Sequence, residues 1–364
     1  MNIRRWGLAP FVVALFILSA MAFVPVLAQQ QGQKVDKKVQ KANEFDRQAI
    51  FKSTDAADAG QAEADITMTF EHDSIKALGG QTYVPFTVTF EQTQAPEGRA
   101  LVMYWRVVNK AQSATKPPAG TTKGKDDKTT PLNPEYAYHD IELVTLTPPS
   151  SATEPYRVSR SFAVLPGEYD VYVALRERLP VEAKDREKTR AKTGVLKQTI
   201  TVPNYWTEEL ATSTVILAEK IDILSAPLEQ AQMKREPYTI GLMQIIPAKS
   251  KVFSKRSEFS FYLQVYNAKL GEDKKPDVVV ENKFYQKVAT EATGEKYFNS
   301  TSPQVFNAKT LPAQWDATLG HPLPAGLSIP LGSFAEGEWR LEVKVTDKIS
   351  GKSITHNVKF VVTA

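Results

Sequence analysis

The chain has 364 residues, of which 42% are hydrophobic and 24% charged. This balance supplies enough apolar side chains for packed cores and excludes an intrinsically disordered protein, and a length of 364 residues leaves room for two domains. The absence of cysteine excludes disulfides, thiolate metal sites and thiol catalysis.

Residues 1–28 have the pattern of an export signal. Arg4 and Arg5 precede an apolar run from Phe11 to Phe23, and Val26-Leu27-Ala28 offers small residues for a cleavage site. We therefore predict a cleaved signal peptide over residues 1–28 and an exported protein, located in a periplasm or at a cell surface. An exported chain without cysteine fits a bacterial envelope better than a eukaryotic secretory route.

An uncleaved anchor is the alternative for this segment, because the run from Gly7 to Ala28 is long enough to span a bilayer, which takes about 20 residues. We expect membrane contact only in that case. Residues 1–28 contain two arginines and no acidic residue, so the rest of the chain carries 43 basic and 41 acidic residues, a net charge of +2. That charge is too balanced to indicate a nucleic-acid partner or a polybasic membrane contact.

Residues 29–63 are dominated by Gln, Lys, Ala and Asp, with few bulky apolar side chains. Val35, Val39 and Ala42 have helical spacing, which is compatible with a short helix. The composition favours a polar flexible linker that lifts the folded part away from the membrane or wall.

Period-two alternation begins after Asp65 and is clearest where Val84, Phe86, Val88 and Phe90 alternate with polar residues or proline. Seven segments of this kind are predicted as strands: 66–70, 84–90, 101–108, 140–146, 156–164, 169–176 and 195–202. Turn-rich loops separate them, so we predict an antiparallel β-sandwich over residues 64–203.

Residues 204–236 are predicted to connect two domains. Leu217, Ile221 and Leu224 are spaced for one face of a helix, although Pro227 would interrupt it. The same stretch also suits two strand fragments, and both interpretations stay open.

Residues 237–364 repeat the alternating pattern. The predicted strands are 238–246, 258–266, 277–284, 327–331, 339–346 and 354–362. Pro166-Gly167-Glu168-Tyr169 in the first half and Glu336-Gly337-Glu338-Trp339 in the second are glycine turns that each feed a strand, 170 residues apart. We infer an internal duplication and a second β-sandwich.

The glycine–aromatic turn resembles the corner before the sixth strand of immunoglobulin-like sandwiches, where an aromatic residue packs across the corner. Tyr169 and Trp339 hold the aromatic position, and Val171 and Leu341 stand where an antibody-type domain carries its second cysteine. Trp105 matches the buried tryptophan of that fold. The resemblance implies an all-β chain with two tandem antiparallel immunoglobulin-like β-sandwiches, an architecture that does not by itself define a function.

A fainter similarity links Leu210–Ala218 and the closing hairpin Val343–Val362 to β-rich regions of exported bacterial proteins with a GWxTD motif. The motif itself is absent, since Trp315-Asp316 follows Gln314 rather than glycine. The part of that family with the most distinctive sequence is therefore missing here.

Catalytic motifs are not found. The four histidines, at positions 72, 139, 321 and 356, are too far apart in sequence for a shared metal site on one element. His72-Asp73 and His139-Asp140 are adjacent pairs whose side chains would point to opposite faces of a strand. Neither HExxH nor GxSxG occurs, so we predict a non-enzymatic protein without cofactor or metal.

Two other segments are interpreted as loops. Gly351-Lys352-Ser353 resembles the end of a phosphate-binding loop, but the glycine required five positions earlier is Thr346, and we predict a hairpin turn over Asp347–Gly351. Lysines are interleaved with the acidic residues at 126–127 and 272–277, which favours solvated loops over calcium sites.

Aromatic side chains are the remaining binding candidates. If Trp105 points into the core, Tyr104 and Arg106 lie on the outer face of the same strand, and Tyr172 has an outer position in the sixth predicted strand. Adjacent outer aromatics suit protein docking or sugar stacking, although cross-strand surface pairing is the simpler explanation. Trp315, in a proline-rich loop, is either a loop plug or a ligand contact.

These observations favour an exported, non-enzymatic binding or scaffolding protein of a bacterial cell envelope that acts through β-sandwich surfaces. Tyr104, Arg106, Tyr172 and Trp315 are the predicted binding residues, and the partner is an envelope protein or a glycan. A carbohydrate-binding module for cell-wall or extracellular polysaccharide is the alternative, and a hydrolase with dispersed carboxylates is a third hypothesis that no motif supports.

Overall fold

A computed structural model describes residues 36–113, 136–289, 291 and 294–364. These residues form two compact units. The first contains the described residues up to 207 together with 228–238, and the second contains 208–227 and 239–364. The predicted signal peptide and the acidic pair at 126–127 lie outside the described residues.

The first unit opens with an α-helix and continues almost entirely in strands. Its elements are α1 (Lys37–Asp58), β1 (Thr69–His72), β2 (Ile75–Lys76), β3 (Thr82–Phe90), a 3₁₀ turn (Gln92–Gln94), β4 (Ala100–Asn109), α2 (Lys110–Ser113), β5 (Tyr138–Thr145), β6 (Tyr156–Val164), β7 (Gly167–Glu177) and β8 (Thr193–Val202). Each of the seven segments predicted as strands overlaps one of these, and the short β2 is additional.

Two antiparallel sheets make up this unit. In one sheet β1 and β2 pair along one side of β3 and β6 pairs along the other. The second sheet has the order β5-β4-β7-β8. Inward side chains of both sheets, including Phe86 and Trp105, share one core, as the alternation predicts.

The prediction of a flexible linker over residues 29–63 is wrong for its described part, because Lys37–Asp58 is a helix. The carboxylate of Asp36 caps it by accepting a hydrogen bond from Lys38 N at 2.8 Å. Ala42 and Ile50 are buried on its inner face, but so are Asp46 and Thr54. Because part of the buried face is polar, the hydrophobic periodicity of the sequence gives only a weak signal for this helix.

The second unit consists of twelve described strands. They are β9 (Ala211–Thr212), β10 (Ile216–Ile223), β11 (Thr239–Ile240), β12 (Met243–Pro247), β13 (Val252–Ser254), β14 (Glu258–Tyr266), β15 (Val278–Lys287), β16 (Glu295–Ser300), β17 (Gln304–Phe306), β18 (Leu323–Pro330), β19 (Gly337–Asp347) and β20 (Ser353–Thr363). The six predicted strands are found here, and β9, β10, β13, β16 and β17 are additional.

These strands again form two sheets around one core. One has the order β11-β12-β10-β14-β18 with β9 beside β14, and the other has the order β13-β20-β19-β15-β16 with β17 beside β15. Only the pairing of β13 with β20 is parallel among the described strands. The segment at 347–351 is the hairpin turn between β19 and β20, which confirms its prediction.

The predicted connector over residues 204–236 is not one independent segment. Ile216–Ile223 forms strand β10 of the second unit, which decides the helix-or-strand question in favour of a strand. Residues 228–238, including a short helix α3 (Gln230–Met233), belong to the first unit. Lys234 Nζ lies 3.1 Å from the Asp140 carboxylate, and Tyr83 donates to Pro237 O at 2.8 Å.

The two glycine–aromatic corners have the same hydrogen bond. The Tyr169 hydroxyl donates to Leu165 O at 2.8 Å, and Trp339 Nε1 donates to Ala335 O at 2.9 Å. In both corners the acceptor lies four residues upstream, and both aromatic side chains are 2% exposed. The duplication inferred from sequence therefore has a matching geometry, while the immunoglobulin-like assignment of the two units stays a prediction.

Candidate functional site

Three of the predicted binding residues lie where the sequence places them, but they are not exposed. Arg106 of β4 is directly opposite Tyr172 of β7, and Tyr104 lies on the same outer face. Tyr104, Arg106 and Tyr172 are only 2–4% exposed, because α1 packs over this face. The expectation of an open aromatic surface on the first sandwich is corrected accordingly.

Arg106 is the centre of a polar cluster under α1. Its guanidinium donates to Asp55 Oδ1 at 2.5 Å and to the Tyr136 hydroxyl at 3.0 Å. The guanidinium carbon lies 4.7 Å from the Tyr172 ring centroid and 5.0 Å from that of Tyr136. The ion pair attaches the helix to the sheet, and the cation–π contacts hold the guanidinium in place.

The Tyr172 hydroxyl is also engaged by α1, since it donates to Asp58 Oδ1. Lys197 Nζ lies 3.8 Å from the same carboxylate and 3.1 Å from Asp170. Burial raises the pKa of Tyr172 to about 12, so it donates as a neutral phenol at physiological pH. Arg106 and Tyr172, which the sequence suggests for ligand binding, are thus already engaged in a polar network within the chain.

Trp315 is 4% exposed and plugs its proline-rich loop. Its indole Nε1 donates to Pro322 O at 3.2 Å, and Lys275 Nζ donates to Trp315 O at 2.6 Å. This placement agrees with the loop-plug interpretation of Trp315.

A partly exposed group of the same chemistry lies on the second sandwich. Tyr297 of β16, Tyr285 of β15 and Arg340 of β19 are successive cross-strand neighbours. The two tyrosine rings are 5.8 Å apart at 71°, and the Arg340 guanidinium lies 4.2 Å from the Tyr285 ring centroid. Tyr297 is 52% exposed. We call Tyr285, Tyr297, Arg340 and Glu295 the tyrosine–arginine platform.

Ion pairing fixes the arginine of the platform. Arg340 Nε and Nη2 donate to the Glu295 carboxylate at 2.7–2.9 Å, and Nη1 donates to Asn357 Oδ1 at 2.5 Å. Hydrogen bonding from Arg340 lowers the pKa of Glu295, so the carboxylate stays ionised at neutral pH. A guanidinium held in this way loses little side-chain entropy when a partner docks on it.

The period of β15 and β19 explains why these side chains point outward. Phe284 and Leu341 are in the core, and their neighbours Tyr285 and Arg340 therefore lie on the opposite face. The predicted strand 277–284 ends one residue short of Tyr285, and β16 was not predicted. Because Arg340 lies between two core residues in the sequence, its outward orientation could be predicted. The cross-strand row of Tyr297, Tyr285 and Arg340 depends on the pairing register of three strands, which the sequence does not show.

The first sandwich also exposes an aromatic residue at one end. Trp206 is 42% exposed, donates from Nε1 to Gln81 O at 3.1 Å, and has Lys76 Nζ 4.5 Å from its ring. Leu78 and Leu165 are 69% and 57% exposed. Trp206 was not among the predicted binding residues, since sequence alone did not show which aromatic residues outside the strands are exposed.

The described histidines are placed on separate elements. Thr212 Oγ1 and His356 Nε2 are 2.7 Å apart, and burial lowers the pKa of His72, His139 and His356. In the described ranges no three His, Asp or Glu side chains are grouped as a metal site. Nor does any described helix have the length and apolarity to cross a membrane.

No family model and no curated protein matches this chain.

Proposed function

We propose that this chain is an exported, non-enzymatic binding or scaffolding protein of a bacterial cell envelope. The tyrosine–arginine platform on the second sandwich is its contact surface. The row Tyr297–Tyr285–Arg340, in which Tyr297 is exposed and the other two are half-buried, is the observation that carries the proposal.

Tyrosine and arginine, together with tryptophan, are enriched among the residues that dominate protein interfaces. Tyrosine supplies a large amphipathic surface with little conformational freedom to lose, and the planar guanidinium pairs with carboxylates. In the platform both are held in place by neighbouring side chains before any partner arrives.

An edge strand adds a second mode of contact. β16 is the last strand of its sheet, and Lys296 to Ser300 are all exposed. Phe298 is 40% exposed and contacts the rings of Phe334 and Trp339 on the other side from Tyr297. An exposed edge strand can pair with a strand of another protein, which would place that strand beside the platform.

The test is a capture experiment with the chain from Gln29 onward, immobilised and exposed to solubilised envelope of the source organism. We expect a stoichiometric envelope protein to be retained by the unmodified chain and lost with Tyr297→Ser. The matched control is Leu319→Ser, which removes an apolar side chain that is 55% exposed on the same sandwich. Equal retention by both variants would remove the platform from the proposal, and retention of nothing by the unmodified chain would refute a binding function.

A carbohydrate-binding module is the second candidate, and the exposed ring of Trp206 favours it. Among the described tryptophans the others, Trp105, Trp315 and Trp339, are 2–4% exposed. A stacked sugar would therefore change the fluorescence of Trp206 selectively. Titration with soluble cell-wall glycans should give a signal that Trp206→Phe abolishes, and glycan retained in the capture experiment without protein would support this alternative.

A further inference from the structure

The face beneath α1 differs from the core of the first sandwich. The sandwich core contains residues of both sheets and none of α1. α1 contributes Ile50 to a separate small cluster with Val102, Tyr104 and Ala174. The sheets are therefore packed together independently of the helix.

Charge holds much of α1 in place. Its Asp55 pairs with Arg106, its Asp58 pairs with Lys197, and its Asp46 lies 3.6 Å from Arg186. Three carboxylates of the helix, one buried and two exposed, thus meet basic side chains of the sheet and of the loop between β7 and β8.

At one end of the interface between α1 and the rest of the first unit, several buried polar groups lack hydrogen-bond partners. Burial raises the pKa of the Asp46 carboxyl, although the charges of three arginines, at positions 176, 178 and 186, act to lower it, and its two oxygens accept no hydrogen bond. Arg106 Nε and one guanidinium nitrogen of each of these three arginines also lack a hydrogen-bond partner. Six of the ten such buried atoms in the described part of the chain belong to this interface. Unsatisfied buried polar groups weaken an interface, so a better-matched occupant would bind more strongly.

The arginines are positioned mainly by the sandwich itself. Arg186 Nη2 donates to Leu179 O at 3.0 Å, and Arg176 Nη1 donates to Thr193 Oγ1 at 3.0 Å. Three arginines also contact the helix: Arg178 donates to Asn43 Oδ1 at 2.8 Å, and Arg106 and Arg186 pair with Asp55 and Asp46. The basic face would therefore persist if α1 moved away.

We propose that the outer face of β4, β7 and β8 is a docking surface for an acidic amphipathic helix of a partner protein, and that α1 is its displaceable intrachain occupant. The partner helix carries apolar side chains where α1 has Ile50, and more than one carboxylate where α1 has Asn43 and Asp46. Tyr104, Arg106 and Tyr172 then contact the partner after displacement. This surface is on the other sandwich from the platform, so the two proposals succeed or fail separately.

The first part of the test measures whether the face opens. Ala174 lies under α1 and its neighbour Val173 lies in the sandwich core, and both are 0% exposed. The chain contains no cysteine, so Ala174→Cys and Val173→Cys each introduce a single thiol. In a chain that also carries Asp55→Lys, the thiol at position 174 should react much faster with a maleimide than the thiol at 173. Equal protection in a folded chain would overturn the proposal.

The second part measures binding to the opened face. Labelled peptides of residues 36–59 are titrated with the full chain carrying Asp55→Lys, and fluorescence anisotropy is recorded. We expect Asn43→Asp in the peptide to tighten binding by about tenfold, and Asp55→Asn to weaken it by about tenfold, because each changes a charged hydrogen bond to arginine. Glu44→Gln is the matched control: it also removes one carboxylate, but Glu44 is exposed and pairs with Arg47 of the same helix.

Equal effects of Asp55→Asn and Glu44→Gln, or no binding to a face shown to be open, would overturn the proposal. Concentration-dependent dimers of the unmodified chain, with the thiol at 174 protected only in the dimer, would also overturn it in favour of helix exchange between two copies.

Discussion

Single side chains at the two corners illustrate how a local contact stabilises each sandwich. Tyr169 and Trp339 are buried, and each satisfies a carbonyl that the turn leaves without a partner in the sheet. Arg340 and Arg106 are surrounded by similar side chains but differ in how exposed those neighbours are. Both are flanked by tyrosine rings and carboxylates, but only the group around Arg340 includes an exposed aromatic side chain.

Tyr169→Phe should lower the free energy of unfolding of the first sandwich by about 1 kcal/mol, because the hydroxyl donates a buried hydrogen bond. The measurement is denaturant unfolding followed by circular dichroism. Tyr297→Phe is the control, since it removes the hydroxyl of an exposed tyrosine, which donates to Ser300 Oγ at 3.2 Å. A change of similar size in both variants would contradict the role of the corner.

His356 should make the stability of the second sandwich depend on pH. Burial lowers its pKa below the ordinary 6.5, so the folded state binds the proton less readily than the unfolded state. The stabilising contribution is therefore complete above pH 6.5 and is lost as the pH falls below that value. Unfolding measured from neutral pH to about pH 5 should show a loss that His356→Gln reduces, and the imidazole should titrate below its ordinary value by NMR. An unshifted titration would contradict this prediction.

At the scale of elements, the outer faces of corresponding sheets differ. In the first sandwich the outer face of β4 and β7 carries Tyr104, Arg106 and Tyr172 and is covered by α1. In the second, β15 and β19 present Glu281, Lys283, Arg340 and Glu342 outward, side chains that water solvates well. A buried aromatic face needs a covering element, and α1 fulfils that role.

Ile50→Asp should release α1 without unfolding the first sandwich. Ile50 is 0% exposed, and an unpaired carboxylate there would cost about 3 kcal/mol of helix docking. We expect faster hydrogen exchange and proteolysis over 37–58, with the sheets still protected. Gln48→Asp adds the same carboxylate at an exposed position of the helix; it loses a surface hydrogen bond to Glu44 and should have a much smaller effect, of about 0.5 kcal/mol. Loss of protection throughout the sheets would show that α1 is part of the sandwich core.

At the scale of the whole molecule, each unit has its own core. Leu175 and Leu341 are both 0% exposed, one in each core. Two compact units with separate cores are expected to unfold in two transitions rather than one.

Leu175→Ala and Leu341→Ala should each destabilise a different transition by about 2–5 kcal/mol, because each leaves a cavity in one core. Calorimetry should resolve two endotherms, and each substitution should move one of them. A single transition shifted equally by both variants would contradict this expectation.

The sequence by itself determined the all-β class, the positions of most strands, the two corners and the buried Trp105, because alternation and glycine turns are local signals. It also placed Tyr104, Arg106 and Tyr172 on the correct face of their strands. Only the tertiary structure decided that α1 covers this face, that the segment 204–236 is divided between two units, and that Tyr297, Tyr285 and Arg340 lie in one row. Strand register and the docking of a partly polar helix depend on contacts between residues far apart in the chain, and no local pattern encodes these contacts.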